Sequence, residues 1–134
     1  MKKFTVPYGR GHLEFNLPEN HIAGVLRSGL NEYVPECEGT ELVKKALENP
    51  VGSEHLCKLS EGKKRIVIIA SDHTRPVPSR IIMPLMLDEI RRGNPDADIT
   101  ILIATGLHRA TTMEELEEKF GSEIIKKKKI VIHD

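Results

Sequence analysis

Three short, continuous apolar runs constrain the fold of this chain more than any other feature. They span residues 65–70, 99–104 and 129–132 and are rich in isoleucine and valine. Helical patterns lie between them, from Ser79 to about Arg92 and from Thr112 to Phe120. Strands that alternate with helices are typical of a parallel sheet with right-handed crossovers. We therefore predict an α/β fold with a Rossmann-like parallel sheet and crossover helices, in which the apolar strands are buried on both faces.

A β-hairpin and two short helices are predicted before this sheet. Apolar residues alternate with other residues over 4–8 and again over 13–17, and Gly9-Arg10-Gly11 between them favours a turn. Residues 40–49 and about 53–60 have compositions that suit helices. The fold prediction is therefore an N-terminal β-hairpin followed by the parallel sheet.

The length of the chain favours one domain, and its balanced charge argues against a nucleic-acid or membrane partner. The 134 residues are interpreted as a single domain, with a hairpin and helical lead-in over 1–60 and a βαβαβ unit over 61–134. Twenty basic residues balance twenty acidic ones, which argues against nucleic-acid binding. No apolar stretch approaches a membrane span, and the first residues lack the apolar core of a signal peptide. We expect a cytoplasmic protein with no membrane partner.

The cysteines and histidines do not form a metal-binding pattern. Cys37 and Cys57 have no Cys-x-x-Cys spacing and are interpreted as reduced thiols. The six histidines are scattered, whereas a zinc site needs about four ligands at short spacings. We predict no metal ligands within this chain.

The chemistry is expected in the two polar loops that follow the first two strands of the sheet. Ligands of open α/β sheets bind beyond the carboxyl ends of the strands. The first loop contains Asp72, His73, Thr74 and Arg75, and the second contains His108. A guanidinium suits a carboxylate or a phosphate, an aspartate can orient a histidine, and imidazole suits proton transfer. The structural alternative is an ordinary loop in which Asp72 caps a turn and pairs with Arg75.

Both loops resemble the N-terminal domain of the nickel-dependent lactate racemase family. The resemblance rests on Ser71-Asp72-His73-Thr74-Arg75-Pro76-Val77-Pro78-Ser79 and on Ala104-Thr105-Gly106-Leu107-His108-Arg109-Ala110-Thr111, and Tyr8-Gly9-Arg10-Gly11 fits the start of that family. It covers essentially the whole chain. Dinucleotide, ATP and serine-hydrolase motifs do not occur in the sequence.

The resemblance implies an activity and roles for these residues. Family members racemise 2-hydroxy acids such as lactate with a nickel-pincer pyridinium mononucleotide. It implies that Asp72, His73, Thr74 and Arg75 lie against this cofactor, that Arg75 also binds the substrate, and that His108 is one of two acid/base histidines. The lysine that carries the cofactor, the nickel-binding histidine and the second acid/base histidine of the family have no counterparts in this chain.

The sequence is therefore interpreted as one part of a longer enzyme. It stops at Asp134, directly after a predicted buried strand, and we expect the natural protein to continue with a C-terminal domain. The isolated chain should be inactive. Two alternatives remain open: a stand-alone module that binds a carboxylate or phosphate without catalysis, and a family enzyme that acts on another 2-hydroxy acid.

Overall fold

The computed structural model describes residues 1–133, which form two compact units that divide after Glu36. The first unit contains the antiparallel hairpin of β1 (Lys2–Tyr8) and β2 (Gly11–Leu17). Gly9 takes a positive φ of 56° in the turn, a conformation that glycine adopts without steric cost. Phe4 pairs with Phe15 across the strands, and their rings stack with centroids 5.6 Å apart. The predicted hairpin is confirmed.

The second unit begins at Cys37 and has the alternating order expected of an α/β fold. Its elements, in chain order, are α1 (Gly39–Glu48), α2 (Leu56–Ser60), β3 (Arg65–Ser71), α3 (Ser79–Gly93), β4 (Asp98–Ala104), α4 (Met113–Phe120), α5 (Ser122–Lys127) and β5 (Lys129–Ile132). The strands form a parallel sheet in the order β3-β4-β5. The predicted parallel sheet with crossover helices is confirmed. The sequence analysis did not predict α5, whose six residues are too few to give a helical period.

The core lies on one face of the sheet. Ile99, Ile101 and Ile103 alternate along β4 and are buried, as their period of two requires. They share one apolar cluster with residues of all three crossover helices: Met83, Leu87 and Ile90 of α3, Leu116 and Phe120 of α4, and Ile124 of α5. All three helices therefore cover the same face.

The opposite face of the sheet is uncovered, so the prediction of strands buried on both faces is wrong within the described residues. Val67 and Ile69 of β3 are 58% and 71% exposed, and Val131 of β5 is 40% exposed. The reason is the topology. Two right-handed crossovers that advance in the same direction, β3 to β4 and β4 to β5, place their helices on one side of a sheet.

Helices α1 and α2 pack on α3. The α3 helix runs without interruption through Pro84. At its end Gly93 lies against α2 so closely that a Cβ there would stand 1.9 Å from the carbonyl oxygen of Cys57.

Among residues 1–133, no helix combines the length and the apolar character needed to cross a membrane.

Candidate functional site

The two polar loops meet at the carboxyl ends of β3 and β4. Ser71 and Ala104, the last residues of these strands, are register partners in the parallel ladder. The segment from Asp72 to Pro78 then leads into α3, and the segment from Thr105 to Thr112 leads into α4. Neighbouring parallel strands end at the same edge of a sheet, so both loops start side by side.

Asp72 and His108 form a hydrogen-bonded pair across this edge. His108 Nδ1 lies 2.6 Å from Asp72 Oδ2. The aspartate side chain is 2% exposed, whereas the imidazole is 44% exposed. Thr74 supports the other carboxylate oxygen, because its hydroxyl and its backbone N–H both donate to Asp72 Oδ1, over 2.7 and 3.1 Å. A buried carboxylate therefore orients a histidine that still reaches solvent.

Asp72 remains ionised at neutral pH despite its burial. Desolvation by burial is the largest influence on its pKa and acts to raise it. The hydrogen bonds from Thr74 and His108, with the positive charge that His108 can carry, together outweigh burial and lower the pKa from 3.8 to about 2. An ionised carboxylate accepts hydrogen bonds only, so the proton between the two side chains belongs to His108 Nδ1. This leaves the lone pair of Nε2 available to accept a proton.

Arg75 is free to bind an anion. Its guanidinium makes no hydrogen bond or ion pair with any residue of 1–133, although its carbonyl oxygen accepts from Lys119 Nζ over 2.9 Å and from the Val77 backbone N–H over 2.8 Å. Backbone contacts thus hold the residue in place while the side chain is exposed. The alternative in which Arg75 pairs with Asp72 is not what the structure has, because Asp72 is bonded to Thr74 and His108.

Arg75 and His108 line one open cavity of about 560 Å³. Asp72 also lines this cavity, and Thr105 and Leu107 contribute from the second loop. Thr105 is buried and donates from its hydroxyl to the carbonyl oxygen of His133, which ties the second loop to the residue after β5. A guanidinium and a carboxylate-bound imidazole thus face the same cavity.

The structure places His73 and His108 in different cavities. His73 Nδ1 lies 3.2 Å from Thr111 Oγ1 and 3.7 Å from Glu115 Oε2, at the start of α4. It lines a second cavity of about 370 Å³ together with Arg75 and Lys119. Arg75 borders both cavities, whereas His73 and His108 face different ones.

Glu115 joins both loops to α4, a role that the sequence analysis missed. It forms a bidentate ion pair with Arg109, over 2.6 and 2.9 Å, and accepts from the backbone N–H of Thr112 over 2.9 Å. Thr112 in turn accepts from the Glu115 N–H, which completes a capping box. The hydrogen bonds from Arg109 are the main reason that the pKa of Glu115 falls to about 2. The spacing of Thr112 and Glu115 is typical of a helix start. The ion pair with Arg109 could not be predicted, because Arg109 lies in an irregular loop whose path has no hydrophobic period.

The described side chains around the two cavities do not form a metal-binding cluster, and Arg75 is their anion-binding group. Among the residues that the structure describes, there is no cluster of three His, Cys, Asp or Glu side chains that would hold a metal. The second cavity has Arg75, His73 and Lys119 on its walls together with the carboxylates of Glu115 and Glu118, so both signs of charge line it. The guanidinium of Arg75, which borders both cavities, is the group that suits a phosphate or a carboxylate.

Comparisons with known proteins agree on one family. The sequence profile described as the lactate racemase N-terminal domain matches residues 8–134. The chain is 52% identical over 134 residues to a lactate racemase of Thermoanaerobacterium thermosaccharolyticum, a match that covers 100% of this chain and 32% of that protein. It is 44% identical over 133 residues to a lactate racemase of Lactiplantibacillus plantarum, covering 99% of this chain and 31% of the relative.

A solved structure gives the same result. The lactate racemase apoprotein from Thermoanaerobacterium thermosaccharolyticum superimposes with a TM-score of 0.84 at 50% identity. The superposition covers 99% of this chain and 30% of that one. The chain therefore spans about a third of the length of the relatives that it matches.

Proposed function

This chain belongs to the lactate racemase N-terminal domain family, and from that premise we propose that it supplies part of the active site of a racemase of 2-hydroxy acids such as lactate. The observation that carries the proposal is the Asp72–His108 pair beside an unpaired Arg75 in one cavity. The remaining groups of the site would come from the part of the racemase that this chain does not span.

His108 is proposed as an acid/base group that moves the proton of the substrate hydroxyl. His108 Nδ1–H donates to Asp72, so Nε2 is the nitrogen that accepts the hydroxyl proton and later returns it. The ionised Asp72 also stabilises the imidazolium that forms, since its negative charge lies 2.6 Å from Nδ1. Asp72 is thus a positioning residue, and His108 is the residue that contacts the substrate.

Arg75 is proposed to bind the substrate carboxylate. A guanidinium presents two parallel N–H donors that match the two oxygens of a carboxylate. Because the side chain has no partner among the described residues, it binds an anion without first breaking an internal ion pair. The carboxylate and the hydroxyl of a 2-hydroxy acid are on adjacent carbons, which suits two binding groups in one cavity.

A nickel-pincer pyridinium mononucleotide fits this chemistry, and we propose that Asp72, His73, Thr74 and Arg75 contribute to its binding. When bound, the group supplies the hydride acceptor that racemisation at a carbinol carbon requires, a task for which protein side chains have no equivalent. Thr74 and Arg75 are exposed at the end of β3, and Arg75 borders both cavities. We further propose a cytoplasmic location, in keeping with the two free thiols, Cys37 and Cys57.

The proposal is tested by joining this chain to the remainder of the Thermoanaerobacterium enzyme, in place of the third that it matches. The joined protein, loaded with nickel cofactor, should form D-lactate from L-lactate, and the chain alone should not. His108→Ala should lower kcat by about a hundredfold or more, since acid/base groups typically contribute about 10²–10⁴-fold. The matched control is His55→Ala, an exposed histidine at the start of α2. A His108→Ala protein with the parental rate would refute the assignment.

A carboxylate-binding module without catalysis is distinguished by the same protein. In that case the chain alone would bind lactate in calorimetry, and Arg75→Ala would abolish binding. The joined protein would show no racemisation with any 2-hydroxy acid supplied.

A further inference from the structure

The uncovered face of the sheet carries a continuous apolar row. Ile69, Leu102 and Val131 are register partners across β3, β4 and β5 and share the face opposite the helices. Val67 extends the row along β3 and is 58% exposed. Exposed apolar surface of this extent is typical of a surface that another element covers.

The free edge of β3 can pair with a further strand. Among the described residues β3 pairs only with β4, so one row of its backbone groups has no strand partner. A groove of about 250 Å³ runs beside this edge, lined by consecutive β3 residues from Ile68 to Ser71 and by Val77, Ile82 and Met86. Ser71 Oγ is buried and has no hydrogen-bond partner among residues 1–133. The edge thus offers apolar side chains, backbone donors and acceptors, and one unsatisfied hydroxyl.

The ligand cavity opens toward the same region. Ile69, whose side chain lies on the uncovered face of the sheet, lines the cavity together with Arg75 and His108. Leu107, on the rim of that cavity, is fully exposed. An element that covers β3 would therefore also form a wall of the cavity.

We propose that a further parallel strand pairs with the free edge of β3, and that the helix leading to this added strand crosses the uncovered face of the sheet. The occupant is a strand and helix from the two thirds of the racemase polypeptide that this chain does not span. The chain has advanced from β3 through β5 with its helices on one face, so a right-handed crossover back to the far side of β3 must run over the other face.

This arrangement has a consequence for the active site. The strand order reverses at β3, and ligands of open α/β sheets bind at the carboxyl ends of the strands where the order reverses. The loop after the added strand then faces the loop of Asp72 and Arg75 directly. The groups that complete the site would come from that loop, on the β3 side of the cavity. By contrast, the edge of β5 has four residues and follows a run of lysines, which disfavours strand addition there.

The inference rests on the proposal that the chain works within a longer racemase, but its test uses stability and amide exchange, not racemisation. Hydrogen exchange of 65–71 is compared between the chain alone and the joined protein. We expect exchange in β3 to be slower by about tenfold or more in the joined protein, because its free amides gain partners. Equal exchange in both proteins would overturn the proposal, whatever the racemase activity.

Ile69→Lys gives an independent measurement. In the chain alone this exposed position should tolerate lysine, with the melting temperature almost unchanged. In the joined protein the loss of a buried isoleucine should shift the unfolding equilibrium about ten- to a hundredfold toward the unfolded state. Ile69→Thr, a milder change, should act in the same direction. The control is Val51→Lys, at a fully exposed position between α1 and α2, which should affect neither protein.

Equal sensitivity of both proteins to Ile69→Lys would contradict the proposal. A second copy of the chain is the competing occupant. If β3 becomes protected in the isolated chain as its concentration rises, and Ile69→Lys abolishes the dimer in sedimentation, the face belongs to a second copy and the proposal is wrong.

Discussion

Replacing Arg75 by lysine separates ligand binding from folding, because the guanidinium has no structural partner among residues 1–133. The substitution keeps the charge and removes the bidentate fork. A charged hydrogen bond to a ligand contributes about 1.5–3 kcal/mol, so affinity for lactate or cofactor should fall about tenfold to a hundredfold. Stability should change by less than about 0.5 kcal/mol, as is usual for exposed residues without partners.

Arg80→Lys is the matched control, because Arg80 has the opposite arrangement. Its Nη2 donates to the carbonyl oxygens of Glu117 and Glu118, each over 2.9 Å, and so fastens α3 to the end of α4. The lysine side chain is shorter and should lose at least one of these bonds, and the loss of one such bond costs about 1 kcal/mol. For a unit of about 100 residues this lowers Tm by about 4–8 °C.

The two variants should therefore show opposite patterns. Thermal unfolding is measured on the chain alone, and ligand affinity by calorimetry on the joined protein. Arg75→Lys should keep its Tm and lose affinity, whereas Arg80→Lys should lose Tm and keep affinity. If Arg75→Lys melts as early as Arg80→Lys and binds ligand normally, Arg75 belongs to the scaffold, and the assignment of Asp72 and Thr74 to the site weakens with it.

Two further predictions concern packing and pH. Gly93→Ala should destabilise the chain by about 1–3 kcal/mol in urea unfolding, because the added Cβ would overlap the Cys57 carbonyl. The control is Gly39→Ala, which should not destabilise the chain, because its Cβ would meet only a side-chain atom at 3.5 Å. The folded-state pKa of Asp72 is lowered, so its stabilisation is present above the ordinary value of 3.8 and is lost as the pH falls toward about 2. The Tm difference between the parent and Asp72→Asn should therefore close over this range, and a difference that is constant from pH 6 to about 2 would contradict the pKa.

Much of the site could be predicted from local sequence because its position follows from strand order. The apolar runs located the ends of β3 and β4 to within a residue, and the carboxyl-end rule then selected Asp72, Arg75 and His108. The pairing of these side chains could not be predicted. Arg75 and His108 were both candidate partners for Asp72. The path of the second loop decides between them, because it brings His108 to Asp72.

The partners of His73 could not be predicted from local sequence either. It is adjacent to Asp72 in the chain, yet it contacts Thr111 and faces Glu115 at the start of α4. Adjacent residues of a loop project in directions that depend on backbone angles, and these are set by contacts distant in sequence. Lys119, which donates to the Arg75 carbonyl from α4, was missed for the same reason.

The sequence by itself determined the element order, the hairpin, the parallel sheet and the two polar loops at the strand ends, because hydrophobic period and turn residues act locally. The tertiary structure decided which face of the sheet is covered, which histidine meets Asp72, and that the Arg75 guanidinium has no partner among residues 1–133. An apolar run such as 65–70 records only that its side chains favour burial. Which element buries each face depends on the direction in which the crossovers turn, and that is a property of the whole sheet.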